Sequence, residues 1–168
     1  MSHPTSPAPA PSSTSGSEAV VWPDARRHAA FDAWLAPLAA THGLLGASLR
    51  PASADASFRR YLRIDTATPG QSCIVMDAPP DKEDCRPFVQ VQALMQQAGL
   101  NVPQILAWDE AQGFMLLSDL GAQTLIEKLD PERPQDAFAW YQQATDTLLQ
   151  WQLASRPGVL PVYDEALL

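Results

Sequence analysis

The chain is 168 residues long, 46% hydrophobic, with a formal net charge of −8. That length can bury one sizeable core, and no apolar run reaches the roughly 18 to 20 residues that a membrane span requires. Ten acidic residues against three basic ones from Leu100 onward argue against a phosphate-backbone partner, since nucleic-acid-binding domains carry a basic face.

The opening "MSHPTSPAPAPSSTSGSEAV" has neither a basic n-region nor an apolar h-region, so it does not read as a secretory signal. Residues 1–18, rich in Pro, Ser, Thr and Ala, predict a disordered tail. Pro23 and Asp24 start a helix over "DARRHAAFDAWLAPLAATHG". In it Phe31, Trp34, Leu35 and Leu38 recur at helical spacing, Gly43 is the stop and Pro37 kinks the last turn. "LLGASLRP" is a candidate first strand. "FRRYLRID" alternates, with Phe58, Arg60, Leu62 and Ile64 on one face and Arg59, Tyr61, Arg63 and Asp65 on the other. The turn "TATPGQ" leads into "SCIVMDA", which pairs with it as a hairpin.

"PPDKED" offers acidic residues to the first turn of a helix, "CRPFVQVQALMQQAGL", with Phe88, Val91, Met95 and Ala98 on one stripe. A second hairpin follows, "QILAWDE" and "FMLLSDL" around a glycine-containing turn. Then come a short helix "QTLIEKLD", a loop "PERP" and a longer helix with Ala137, Tyr141, Ala144, Leu148 and Trp151 on one face. "RPGVLPVYDEALL" predicts a linker and the first turns of one more helix, which suggests a truncated polypeptide. Cys73 and Cys85 lie on different elements and read as reduced thiols. The chain as a whole predicts a soluble cytoplasmic protein.

Helix, three strands, helix, two strands, helices predict an α+β lobe: a five-stranded antiparallel sheet with a helix packed across it. That order, with the phrases "DASFRRYLRI", "VMDAPPDKEDCRPF", "AGLNVPQILAWD" and "GFMLLSDLG", resembles the N-terminal lobe of the aminoglycoside-phosphotransferase-like kinases, whose fold is protein-kinase-like. In particular it is similar to the branch of bacterial kinases that phosphorylate the anomeric hydroxyl of N-acetylmuramate and N-acetylglucosamine in cell-wall recycling. The resemblance runs from Arg26 to Leu168. It implies an N-lobe with hinge over 19–121 and the start of a helical C-lobe, truncated, over 122–168. It also implies a monomeric full-length enzyme that uses ATP, Mg²⁺ and a sugar, with no nucleic-acid or membrane partner. The catalytic base and metal ligands are then expected beyond Leu168, so that this fragment would not turn over by itself.

Kinase chemistry gives each phrase a task. The turn "SADAS" would cover the phosphates with backbone N–H groups and the Ser53 or Ser57 hydroxyl. "FMLLSDLG" is similar to the hinge, where Ser118, Asp119, Leu120 and Gly121 cross between lobes and Met115 or Leu117 packs on adenine; Asp119 is expected to cap the short helix after it. One departure stands out. The third strand has Met76 and Asp77 where kinases of this fold place a lysine, and the facing helix has Gln90 and Gln92 where its glutamate partner belongs. The arginines of "FRRYLRI" are therefore candidate phosphate ligands, with Arg59 and Arg60 the first choices. Two rival readings are an anion- or single-strand-binding module built on these arginines with Phe58 and Tyr61, and a non-catalytic lobe that docks through Trp140, Leu148 and Trp151.

Overall fold

The computed structural model describes residues 20–54 and 58–161; the tail expected over 1–18 lies outside them. Helix α1 spans Ala25–His42 and is bounded as its sequence dictates. Asp24, in extended backbone, accepts the Arg27 N–H at 2.7 Å, and Gly43 closes the other end in the left-handed conformation at φ 63°. Pro37 sits inside the helix without ending it.

Five strands follow: β1 (Arg50–Ala54), β2 (Arg60–Asp65), β3 (Ser72–Asp77), β4 (Ile105–Asp109) and β5 (Phe114–Ser118). They form one antiparallel sheet in the order β1-β2-β3-β5-β4. Helix α2 (Arg86–Gln97) connects β3 to β4. This is the α+β architecture expected, with one strand displaced. "LLGASLRP" does not extend as a strand: Gly46–Ser48 makes a 3₁₀ turn, and only Leu44 bridges the sheet, at Thr66. Ser48 explains the delay, because its hydroxyl donates to the Leu45 carbonyl at 2.6 Å and accepts the Asp65 N–H at 2.8 Å. A side chain thus satisfies backbone that a ladder would otherwise pair, and β1 begins at Arg50.

Strand alternation sends side chains to two separate apolar clusters. On one face Leu62, Ile64, Cys73, Val75, Phe114 and Leu116 pack under Phe31 and Leu35 of α1. On the other, Met76, Met115 and Leu117 pack with Ala78, Cys85 and, from α2, Phe88 and Val89. The sheet is therefore covered by helices on both faces, which is why β5 reads as an unbroken apolar run rather than an alternating one. On α2 the buried line falls differently from the expected stripe. Gln92 is the buried residue, donating to the Pro103 carbonyl and to Gln96 Oε1, both at 3.1 Å, while Val91, Met95 and Ala98 are half buried. The acidic residues stay in the loop before the helix, where Asp84 accepts the Arg86 N–H at 2.9 Å.

The β4–β5 turn depends on Gly113. Its φ is +68°, and a Cβ there would lie 1.9 Å from the Ala78 carbonyl oxygen. Ala78 in turn donates to the Gly113 carbonyl at 2.9 Å, so the backbones of β3 and of this turn touch directly. Beyond β5 come α3 (Leu125–Lys128), a 3₁₀ turn at Pro134–Ala137 and α4 (Phe138–Ala154). Gln150 of α4 donates to the Ala98 carbonyl at 2.7 Å, and Gln90 of α2 to the Val159 carbonyl at 2.9 Å. The apolar face expected on α4 is not covered: Tyr141 and Leu148 are exposed, as are Trp140 and Leu153. The further helix expected at the end of the chain falls at 162–168, outside the described residues.

Candidate nucleotide site at the sheet and hinge

Because a strand alternates, "RRYLR" deals its arginines to different neighbours, and each one meets a carboxylate from a different element. Arg60 points to the α1 face. There it donates from Nε to Asp77 Oδ2 at 2.6 Å and from Nη1 to the Val21 carbonyl at 2.5 Å, and it lies over the Trp22 ring at 4.2 Å. Arg27 of α1 donates to the other oxygen of Asp77 from Nε at 3.0 Å and Nη2 at 2.5 Å, while its Nη1 reaches the Gln112 carbonyl at 2.6 Å. Asp77, 1% exposed, is therefore an anion clamped between two arginines. This buried triad ties α1 to β2, β3 and the β4–β5 turn.

Arg63 points to the opposite face, toward the segment 118–121 that is expected to be the hinge. Its Nε donates to Asp119 Oδ2 at 2.6 Å, and its Nη2 to Asp119 Oδ1 at 3.2 Å and to the Gly121 carbonyl at 3.1 Å. Ser72 donates to the same carboxylate at 2.5 Å, and the Gly121 N–H at 2.8 Å. Burial alone would push the Asp119 carboxyl up. The hydrogen bonds from Arg63, Ser72 and Gly121 outweigh it and hold the group below the usual carboxylate range. The expectation that Asp119 caps α3 is corrected by this arrangement: Thr124 takes that place in a capping box with Glu127, and Asp119 holds the hinge to the sheet instead.

Arg59, on the same face as Arg63, approaches Glu83 in the loop before α2, Nε to Oε2 at 3.7 Å. The other oxygen of Glu83 accepts the Phe58 N–H at 2.9 Å. Lys82, next to it, lies 4.8 Å from the centre of the Phe58 ring. All three arginines of "RRYLR" thus stand opposite carboxylates.

A cavity of about 580 Å³ opens where this face meets the hinge. Ala52 and Ser53 of β1, Tyr61 and Arg63 of β2, Ile74 of β3 and Leu117 of β5 form its sheet side. Ser118, Asp119, Leu120 and Gly121 form the hinge side, with Thr124 and Glu127 beyond them. It is a concave, largely apolar site with a few polar groups at one edge. Of the residues singled out from sequence, it brings together Ser53 and the four hinge residues. Arg59 lines an adjoining cavity along α2, which shares Phe88 and Pro103 with the first. Met76 is fully buried in the apolar cluster under α2. Arg60 is on the far face of the sheet with Asp77, away from this cavity. Ser57 lies outside the described residues.

Sequence reasoning missed Tyr61, Ile74 and Glu127 as lining residues; the alternation of β2 and β3 was the signal for the first two. Arg63, one of the arginines offered as phosphate ligands, is on the expected face but is paired with Asp119. Between Met115 and Leu117, which the pattern could not separate, only Leu117 lines the cavity. Cys73 and Cys85 are free and buried, and burial raises both thiols. Among the described residues no three His, Cys, Asp or Glu side chains gather as metal ligands, and no helix is long and apolar enough to cross a membrane.

Over 122 residues, 73% of this chain, the sequence is 52% identical to an N-acetylmuramate/N-acetylglucosamine kinase of Pseudomonas aeruginosa. It is 46% identical over 72% of its length to the Pseudomonas putida protein of that name, and 45% identical over 67% to that of Neisseria meningitidis serogroup B. It spans about a third of each relative, 35%, 34% and 33% respectively. Residues 48–167, from just before β1 to past α4, match the phosphotransferase enzyme family, APH, and the chain belongs to that family.

Proposed function

We propose that the full-length protein containing these residues is an ATP-dependent kinase acting on the anomeric hydroxyl of N-acetylmuramate or N-acetylglucosamine in the cytoplasm, in cell-wall recycling. In this reading residues 19–121 are the nucleotide lobe with its hinge, and 122–168 begin the second lobe. The observation that carries it is the cavity at the sheet–hinge corner, with an apolar wall of Ile74 and Leu117 and a backbone hinge edge from Ser118 to Gly121. An aromatic base suits such a slot: its faces take apolar contacts and its edge takes backbone hydrogen bonds. The names carried by three relatives, each 45–52% identical over most of this chain, support the sugar as acceptor.

With the Asp119 carboxylate held by Arg63 and Ser72, the hinge offers adenine its main chain and not this side chain. Ser53 and Arg59 sit on the phosphate side of the reading. Mg²⁺, which neutralises charge on the transferring phosphoryl group in this chemistry, has no ligand cluster among the described residues, and its ligands and the catalytic base are proposed beyond Leu168.

The test is direct. Full-length protein supplied with ATP, Mg²⁺ and N-acetylmuramate should consume the sugar's reducing end and release ADP. A sugar that keeps its reducing end while ADP appears refutes the acceptor; no ADP with either amino sugar refutes the kinase.

A further inference from the structure

The strand lysine and helix glutamate that steady nucleotide phosphates in kinases are both missing here, replaced by Met76 and by Gln90 and Gln92. Met76 is an apolar core residue, and the neighbouring carboxylate, Asp77, is consumed by Arg27 and Arg60 on the other face. Strand β3 therefore supplies no ionic tether on the nucleotide side. A different pair does occupy that side. Glu83 is well buried for a charged residue, its side chain 16% exposed. The loop that carries it is itself fixed, since the Lys82 and Glu83 N–H groups both donate to the Pro79 carbonyl at 2.9 Å. From there its two oxygens reach separate targets, the Phe58 N–H and the Arg59 guanidinium. One carboxylate thus fixes both the main chain entering β2 and the cation beside it.

We infer that Glu83 is a positioning residue for nucleotide binding, holding Arg59 and the start of β2 so that the guanidinium is presented to the phosphates. This rests on the nucleotide reading above. The work of a strand lysine paired to a helix glutamate is moved to an arginine at the entrance of β2, paired to a loop carboxylate ahead of α2. A long cationic side chain loses rotamer entropy on binding unless something orients it beforehand, and a carboxylate fixed beside the guanidinium does so.

The decisive comparison is Glu83→Gln in the full-length protein. Glutamine keeps an oxygen acceptor for the Phe58 N–H and a similar shape, but removes the charge facing Arg59. ATP affinity should fall roughly tenfold, in KM and in direct calorimetric titration, with the sugar KM and the Tm unchanged. Arg59→Ala should lose a similar amount. The double variant should be no worse than Arg59→Ala alone, because both changes remove the same device. ATP binding within twofold of wild type in Glu83→Gln, additive losses in the double variant, or tighter ATP binding, which would make Glu83 a competitor of the phosphates, each overturns the inference. The calorimetry separates the two readings. If wild type binds ATP and Glu83→Gln weakens it while neither sugar is phosphorylated, the acceptor is wrong and the inference stands. If wild type binds no ATP, both fall.

Discussion

Replacing Asp77 should be the most damaging single change in the sheet, for reasons unrelated to catalysis. Its carboxylate is 1% exposed and receives three hydrogen bonds from two guanidiniums, Arg27 at 13% and Arg60 at 26% side-chain exposure. Much of what such a triad gains from attraction is offset by desolvating the ions, so its presence alone is weak evidence of net stability. Removing one member is different, since two part-buried cations then lose their only shared anion. Breaking a buried ion pair in this way costs about 3–5 kcal/mol, and the exposure of Arg60 favours the lower end. For a domain of this size that is a Tm loss of roughly 10 °C. Asp77→Asn is the sharper variant: it preserves volume but turns an NH₂ donor toward a guanidinium, so it should lose at least as much as a charge-neutral swap suggests. Urea unfolding of the full-length protein at neutral pH measures this as a drop in midpoint at constant slope. Replacing all three charges together, with Arg27→Met, Asp77→Leu and Arg60→Met, should recover most of the loss. Asp77→Asn lying within about 1 kcal/mol of wild type would refute the argument, and lost turnover at unchanged stability would place Asp77 in the chemistry instead.

Two further changes test the hinge and the β4–β5 turn. The Asp119 carboxyl is held below its ordinary value in the folded protein, so its contribution to stability is fully present above the unfolded value, about 3.9, and is lost as pH falls through the folded value. Asp119→Asn should therefore destabilise at pH 7, with the gap between wild type and variant narrowing as the pH falls from the unfolded value through the folded one; a pH-independent gap in urea titrations would mean that the ion pair with Arg63 is not the source. Gly113→Ala places a Cβ at 1.9 Å from the Ala78 oxygen in a left-handed backbone, which should cost at least about 2 kcal/mol, and a variant melting with wild type would show that the turn can relax.

The fold was legible wherever one residue type dictates local geometry. Asp24 and Gly43 bound α1 as expected because a cap and a left-handed stop are local chemistry. The period of two in "FRRYLRID" separated its faces correctly, and Leu62 and Ile64 are indeed buried. The errors came from contacts distant in sequence. Ser48 delays β1 through Asp65, seventeen residues away. The inner line of α2 is set by where Pro103 offers a carbonyl to Gln92, which no helical stripe reveals. Arg27 drew no attention as a helix-surface arginine, yet it reaches fifty residues along the chain to Asp77.

The site divides in the same way. Ser118, Asp119, Leu120 and Gly121, which line one edge of the cavity, were legible only through the family resemblance, since an apolar strand ending in a turn is an ordinary pattern. What each arginine does was not, because the pattern fixes only the face on which a side chain emerges and the partner comes from elsewhere. Once the partners are known, the face decides among them. Arg60 emerges beside Leu62 and is drawn to Asp77; it braces the sheet against α1. Arg59 and Arg63 emerge beside Tyr61, one toward the α2 loop and one toward the hinge. Arg63 is held by two oxygens of Asp119 and by the Gly121 carbonyl at 3.2 Å or less, in a pair 18% and 7% exposed; turning it toward a phosphate would strip a nearly buried carboxylate of its counter-ion. Arg59 faces Glu83 across 3.7 Å with 30% of its side chain exposed, a looser and wetter contact that an incoming phosphate can share rather than break. Among these contacts, the one between Arg59 and Glu83 is the one that a phosphate can join without stripping a nearly buried carboxylate, which is the ground for proposing Arg59 as the nucleotide's ligand.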